Sequence, residues 1–247
     1  MTVPVPGASD LRRALRRAAR AEKIPILSSF FKTGPEDYGA GDRFLGVPVP
    51  EQRRIAKAHG ALPRASIAEL LKSPVHEERL TALFVLLIQF HKALPRERFR
   101  LHRFYLRRLR RVNNWDLVDS SAATLVGEAL EGKSSALLDR LARSKHLWTR
   151  RVAMIATFHF TKKGDPRPAI RIAERLLSDK HDLIHKAVGW MLREVGKRCS
   201  ERCLTDFLDR HGPQMPRTAL RYAIERLATA RRKAYLVRRG AGSSALS

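Results

Sequence analysis

Aromatic residues and cysteine are scarce in this chain. Over 247 residues, Phe, Trp and Tyr make up 7%, and there are two cysteines. Cys199 and Cys203 are too few for a disulfide framework and lack the further ligands of a zinc site, which leaves them as ordinary reduced thiols. Alternating runs rich in Val, Ile and Thr are also few, which speaks against a β-sheet core. No apolar stretch approaches the ~18–20 residues of a membrane span, and the N-terminal region holds no signal-peptide core. The expected place is therefore the cytoplasm, away from membranes. Acids are short as well, with 24 Asp and Glu against 49 Lys and Arg, a formal charge of +25.

What is present is a 44% hydrophobic content, enough for a core in a chain of this length. The charge says nothing about fold but predicts a polyanionic partner. Arginine outnumbers lysine, which favours bidentate contact with phosphate.

A pattern recurs along the chain: a small polar residue, a short turn, then a helix with alanine nine positions later. Ser73 pairs in this way with Ala82, Asn113 with Ala122, Ser144 with Ala153 and Ser178 with Ala187. A degenerate fifth copy runs through Pro216, suited to a first helical turn, to Ala219. A period of 31–40 residues between these alanines, built from two helices, predicts an all-α, HEAT-like helical-repeat solenoid with a basic concave face. An irregular helical bundle is the alternative. The expected organisation is a basic, partly helical N-terminal segment over 1–22, one solenoid domain over 23–235, and a flexible tail over 236–247 ending in GAGSSALS. Six positions after the small polar residue stand Arg79, Asp119 and Arg150, with Arg151 next to the last. A solenoid lines such positions up along one surface.

The segment PRERFRLHRFYLRRLRR carries Arg96, Arg100, Arg103, Arg107 and Arg110 at helical spacing on one face. Leu101, Tyr105, Leu109 and Val112 form an apolar seam on another. Glu97 is the one acid in it, so internal pairing does not neutralise the stripe, which predicts phosphate binding. A basic amphipathic helix at a membrane surface is the rival.

Chemistry concentrates in VNNWDLVDSSAATLVGEAL. Asn113 or Asn114 caps a helix there, and Asp116 in its first turn complements the dipole. Trp115 and Asp119 are four apart and share a face at the edge of the seam Val118, Ala122, Leu125 and Ala129. Read from spacing alone, Trp115 is as well a packing residue and Asp119 as well a salt-bridge partner. In KHDLIHKAVGWMLREVGKR the seam is Ile184, Val188, Met191 and Val195, and Trp190 points away from it near Lys186 and Arg193. A ring amid basic groups suits contact with bases or sugars. His181 and His185 form HDLIH, which departs from HExxH in its acid and has no third ligand, so it reads as a polar helix face and not a metal site.

Taken together, FLGVPVPEQRR, NNWDLVD, LWTRRVAMIA and KAVGWMLRE resemble the AlkD-type DNA alkylation-repair glycosylases, over about residues 26–235. The resemblance implies HEAT-like repeats cradling double-stranded DNA. It also implies excision of cationic N3- and N7-alkylated purines for base excision repair, by a monomer without metal or organic cofactor. Matched position by position, it assigns the catalytic aspartate to Asp119, the cleft tryptophans to Trp115 and Trp190, and the cleft arginine to Arg151. Arg79, Arg150, Lys186, Arg193 and Arg217 are the candidate DNA-binding residues. An alkylated purine is already a good leaving group, so the demand falls on a carboxylate that stabilises positive charge growing on the sugar.

Two departures from the family pattern bear on DNA contact and lesion preference. Pro48 replaces a polar residue, and Asp182 with Leu183 replaces an aromatic pair. The alternative function is a non-catalytic repeat protein that binds bent or damaged DNA by shape. A scaffold for an acidic protein is a third reading.

Overall fold

The computed structural model describes residues 7–243, with side chains described as far as 237. It is all-helical: no strand occurs among the described residues, where the one β-type contact is an isolated parallel bridge between Arg43 and Val75. Two compact units divide the chain, residues 1–121 and 122–247. No helix among the described residues is long and apolar enough to cross a membrane.

The first unit holds α1 (Ala8–Arg17), α2 (Ile24–Phe30), α3 (Val49–Ala58), α4 (Arg64–Leu70), α5 (His76–Lys92), α6 (Pro95–Leu106) and most of α7 (Trp115–Ala122). The basic N-terminal segment is helical from Ala8 to Arg17, and it packs on α3, α4 and α5. Leu11 and Leu15, one turn apart, are fully buried. Arg12, on the same helix, reaches both Glu69 and Glu78, at 2.5 and 2.9 Å. Part of the basic excess is thus spent on internal pairing.

The FLGVP stretch is fastened to α5 by one carboxylate. Glu77, buried in the first turn of α5, accepts from the amides of Leu45, Gly46 and Val47 at 2.8–3.3 Å. Gly46 has φ +82°, and a Cβ there would sit 2.0 Å from the Arg20 carbonyl oxygen. Only glycine satisfies both the backbone angle and the approach. The loop ends at Pro48, the N-cap of α3, which explains how this departure is tolerated: a proline there fixes an extended φ of −62° ahead of the helix.

The second unit holds α8 (Ala136–Ala142), α9 (Leu147–Ala156), α10 (Phe158–Lys162), α11 (Arg167–Leu176), α12 (Asp182–Arg198), α13 (Glu201–His211), α14 (Arg217–Ile224) and α15 (Thr229–Ser243). Residues 1–6 and 244–247, the latter the end of the expected tail, lie outside the described residues. The four seam residues of α12, Ile184, Val188, Met191 and Val195, are buried as their spacing predicts. Helices α12 and α14 approach so closely that a Cβ on Gly189 would meet the Ala219 carbonyl at 2.3 Å.

The repeat alanines Ala82, Ala122, Ala153, Ala187 and Ala219 are all buried. The small polar residues hold the turn before the helix in two repeats: Ser73 Oγ accepts from the Val75 amide at 3.0 Å, and Ser144 Oγ from the His146 amide at 3.2 Å. In the next repeat Asp179, not Ser178, takes this place, accepting from the His181 amide at 2.9 Å. A second difference lies at Ala129, expected on the buried seam and found half-exposed. After α7 the backbone passes into a π-helical turn over Ala123–Gly127, which adds a residue and shifts the face inward-pointing side chains occupy. Leu130 is buried in its stead.

Candidate functional site

In the first unit, α7 carries the two candidate residues Trp115 and Asp119. Asn114 is fully buried, and its Oδ1 accepts from the Trp115 amide at 2.8 Å, so the second asparagine of the pair sets the helix start. Trp115 and Asp119 are both half-buried, one turn apart on the side of α7 away from its buried Leu117 and Ser121, with buried Val118 at the edge of that side. The Trp115 ring stacks on Phe31 at 5.3 Å and meets the edge of Phe30 at 5.6 Å. These contacts give it a fixed place that spacing alone did not supply.

Beneath that stack lies a buried polar cluster. His76, at the N-terminus of α5, is 2% exposed. Its Nε2 is 2.7 Å from Asp116 Oδ2 and its Nδ1 3.0 Å from Asp42 Oδ2. With carboxylates on both nitrogens, the ring is held as the imidazolium. Burial pushes the other way, but the bonds to Asp116 and Asp42 prevail and raise its pKa to about 9. Burial likewise opposes the charge of Asp42, while His76 and Arg79 hold that carboxyl below its usual range. The imidazole lies against Phe31 and Phe44, at 4.7 and 4.9 Å between ring centres. Asn114 Nδ2 donates to Asp42 at 3.2 Å. The cluster thus ties the loop before α3, the start of α5 and the start of α7 into one network.

Arg79 belongs to this cluster and not to a DNA-facing surface. It is 3% exposed, donating to Asp42 Oδ1 at 2.6 Å and to the Ser73 carbonyl at 2.8 Å. The expectation that it binds phosphate is corrected accordingly: a guanidinium closed in by its own carboxylate and carbonyl has no open approach for a phosphate. Its register equivalent in the second unit behaves alike. Arg150 Nε donates to Asp179 at 2.5 Å, and its Nη1 to the carbonyls of Ser144 and Lys145 at 3.1 and 3.0 Å. In both repeats this arginine clamps the turn six residues before it. Asp119 stands at the same register position with the opposite charge.

Elsewhere in the second unit, Arg151 is buried and donates from Nη1 to the Leu183 carbonyl, in the first turn of α12. Two turns along that helix Trp190 is half-buried, its ring 6.2 Å from Phe158. Lys186 pairs with Asp182 at 2.8 Å, and Arg193 with Glu225. Asp182, one of the departures, also accepts from Thr218 Oγ1 at 2.8 Å, and so joins α12 to α14. Arg217 is exposed at the start of α14. Of the HDLIH histidines, His181 caps α12, its Nδ1 accepting from the Leu183 amide at 3.2 Å, and His185 Nε2 lies on the Asp179 carbonyl. Cys199 and Cys203 are free thiols.

Sequence reasoning overlooked His76, Asp42 and the Phe31–Phe44 stack. One signal was present. His76 and Asp116 each stand three residues after the small polar residue of their repeat, Ser73 and Asn113, and such positions meet when repeats stack. Asp42, in an irregular loop, carries no such signal.

Comparison with known proteins accords with this architecture. A family model described as DNA alkylation repair enzyme matches residues 11–227. Among solved structures the chain is similar to a predicted DNA alkylation repair enzyme from Enterococcus faecalis, with a TM-score of 0.65 at 17% identity, covering 85% of this chain and 97% of that one. No curated protein matches.

Proposed function

The chain belongs to the DNA alkylation repair enzyme family, and on that premise we propose that it is a monofunctional DNA glycosylase for base excision repair. Its substrates in this reading are cationic alkylated purines in duplex DNA, of the N3-methyladenine and N7-methylguanine type. The reaction hydrolyses the N-glycosidic bond with water as the nucleophile and releases the free base. The observation that carries the reading is Asp119: a carboxylate on the accessible side of α7, one turn from an anchored tryptophan. In a protein of charge +25 its register equivalents in the two flanking repeats, Arg79 and Arg150, are arginines.

The roles follow from charge. The modified purine leaves as a neutral base, so no acid has to protonate it. As the bond lengthens, positive charge grows on the deoxyribose, and the Asp119 carboxylate stabilises it and orients the incoming water. The Trp115 ring, held by Phe30 and Phe31, presents its negative π face to the same charge. The family resemblance gives Trp190 a like role and makes Arg151 a positioning cation. Lys186, Arg193 and Arg217 are assigned to the phosphate backbone. His76 does not touch the substrate in this scheme; it fixes the first turn of the helix that bears Asp119.

Incubation with methylated duplex DNA and mass spectrometry of the released bases tests the proposal. Release of N7-methylguanine or N3-methyladenine is expected, and Asp119→Asn is expected to abolish nearly all of it with DNA binding retained. Equal release by that variant would overturn the assigned mechanism. No release from any alkylated duplex by the unaltered protein would favour the non-catalytic binding protein.

A further inference from the structure

Helix α6 has two faces of opposite character. Leu101, Phe104 and Tyr105 are buried, as is Leu109 just beyond the helix. Arg96, Arg100 and Arg103, with Arg107 at the C-cap, are exposed and centred about 180° around the axis from Tyr105; Arg110, in the 3-10 turn that follows, is exposed as well. Tyr105 marks the inner side, because its hydroxyl lies 2.9 Å from Ser121 Oγ on α7. On α7, Ser121 and Asp119 are two residues apart and so about 200° apart around that axis. The arginines of α6 thus point away from α7, the helix that bears Asp119.

We infer that the outer face of α6 is a second duplex-DNA surface, separate from the Asp119 side, on which the arginine stripe grips one phosphate backbone. The inference rests on the proposed reading of the Asp119 side as a DNA surface, and adds to it that one chain holds two duplexes.

Three observations favour a nucleic-acid backbone as the occupant. First, the stripe is not neutralised. Among the described residues Arg100 alone of the five has a carboxylate partner, Glu97 at 3.3 Å, and Glu97 is shared with Arg64. Second, the geometry is regular. Arg96 to Arg107 spans about 17 Å of helix, the length of about five base-pair rises along a duplex axis. Guanidinium groups bind phosphate oxygens in pairs, so a row of them suits that chain of anions. Third, Leu101, Phe104 and Tyr105 on the apolar face of α6 are already covered by the protein, which leaves Phe99 as its one exposed ring. A helix lying in a bilayer surface needs that face open to lipid, so an anionic membrane is the poorer fit.

The test is a titration of the full chain at low salt with undamaged duplexes of about one helical turn, too short to reach both surfaces. Two duplexes per chain are expected for the unaltered protein, and one for the triple variant Arg100→Glu, Arg103→Glu, Arg107→Glu. The variant should melt like the parent and release base at the parent's rate from alkylated duplex. Should the charge reversal unfold the chain, the three glutamine substitutions replace it, with the same loss expected. One duplex per chain for the parent overturns the second surface while leaving the proposed function intact; no duplex at all removes both. Loss of base release along with the second duplex shows a single surface and overturns the inference. So does displacement of the second duplex by vesicles of phosphatidylserine, which would assign the stripe to a membrane.

Discussion

His76 Nε2 lies 2.7 Å from Asp116 Oδ2, joining the first turn of α5 to the first turn of α7 across one repeat. With Asp42 on its other nitrogen, the imidazole is charged and enclosed. A buried cation shared by two carboxylates is strong only while all three partners are ionised.

Stability should therefore fall on the alkaline side. The folded-state pKa of His76 is raised to about 9 from 6.5. A raised value means that its contribution is fully present below about pH 6.5 and is lost as pH climbs through about 9, to the extent of roughly 3 kcal/mol. Urea unfolding from pH 6 upward should show this decline, and His76→Gln should flatten it. Asp42 sets the acid limit: its carboxyl is held low, so its contribution is fully present above its ordinary value and is lost as pH falls through the lowered one.

Arg79→Ala should act on stability before it acts on DNA. It strips Asp42 of its 2.6 Å partner and leaves a carboxylate 5% exposed and half-paired. Breaking a buried pair in this way costs about 3–5 kcal/mol, read as a lowered urea midpoint. A variant of unaltered stability with weakened DNA binding would restore Arg79 to the DNA-facing set.

Gly46→Ala should destabilise the first unit. The added methyl meets the Arg20 carbonyl at a left-handed backbone position, a strain of about 1–3 kcal/mol. Glu77→Gln should act on the same loop, since it weakens the acceptor that gathers three amides. Thermal melting of the two variants checks both effects. A melt like the parent's in Gly46→Ala would show that the loop relaxes.

Gly189→Ala tests the helix crossing in the second unit. The new Cβ would lie 2.3 Å from the Ala219 carbonyl and 2.5 Å from Tyr222 Cβ, so α12 and α14 have to part. Overpacking of this kind costs about 1–3 kcal/mol, measurable as a drop in Tm.

Trp115→Ala and Trp115→Phe separate packing from chemistry. Both remove the indole, but phenylalanine keeps a ring against Phe31. If the ring only packs, Trp115→Phe should restore stability and base release together. Under the proposed function stability should recover more fully than kcat, because the larger π face is lost.

The repeat, the all-helical class, the buried alanines and the seams of α6 and α12 were written in the sequence. Each depends on periodicity within one helix or between neighbouring helices, and periodicity survives in one dimension. Tertiary structure decided what the polar residues do. Arg79 and Arg150 have the composition of phosphate ligands and the contacts of turn clamps, because a guanidinium bonds whichever oxygens folding places beside it. The expectation for Ala129 failed because a π turn breaks the helical period that the spacing argument assumes. His76 meets Asp42 and Asp116 across 34 and 40 residues, a juxtaposition made by stacking. The sequence by itself determined where the helices are and which faces they bury; only the folded chain decided which charges are consumed inside and which, like the α6 stripe, are left for a partner.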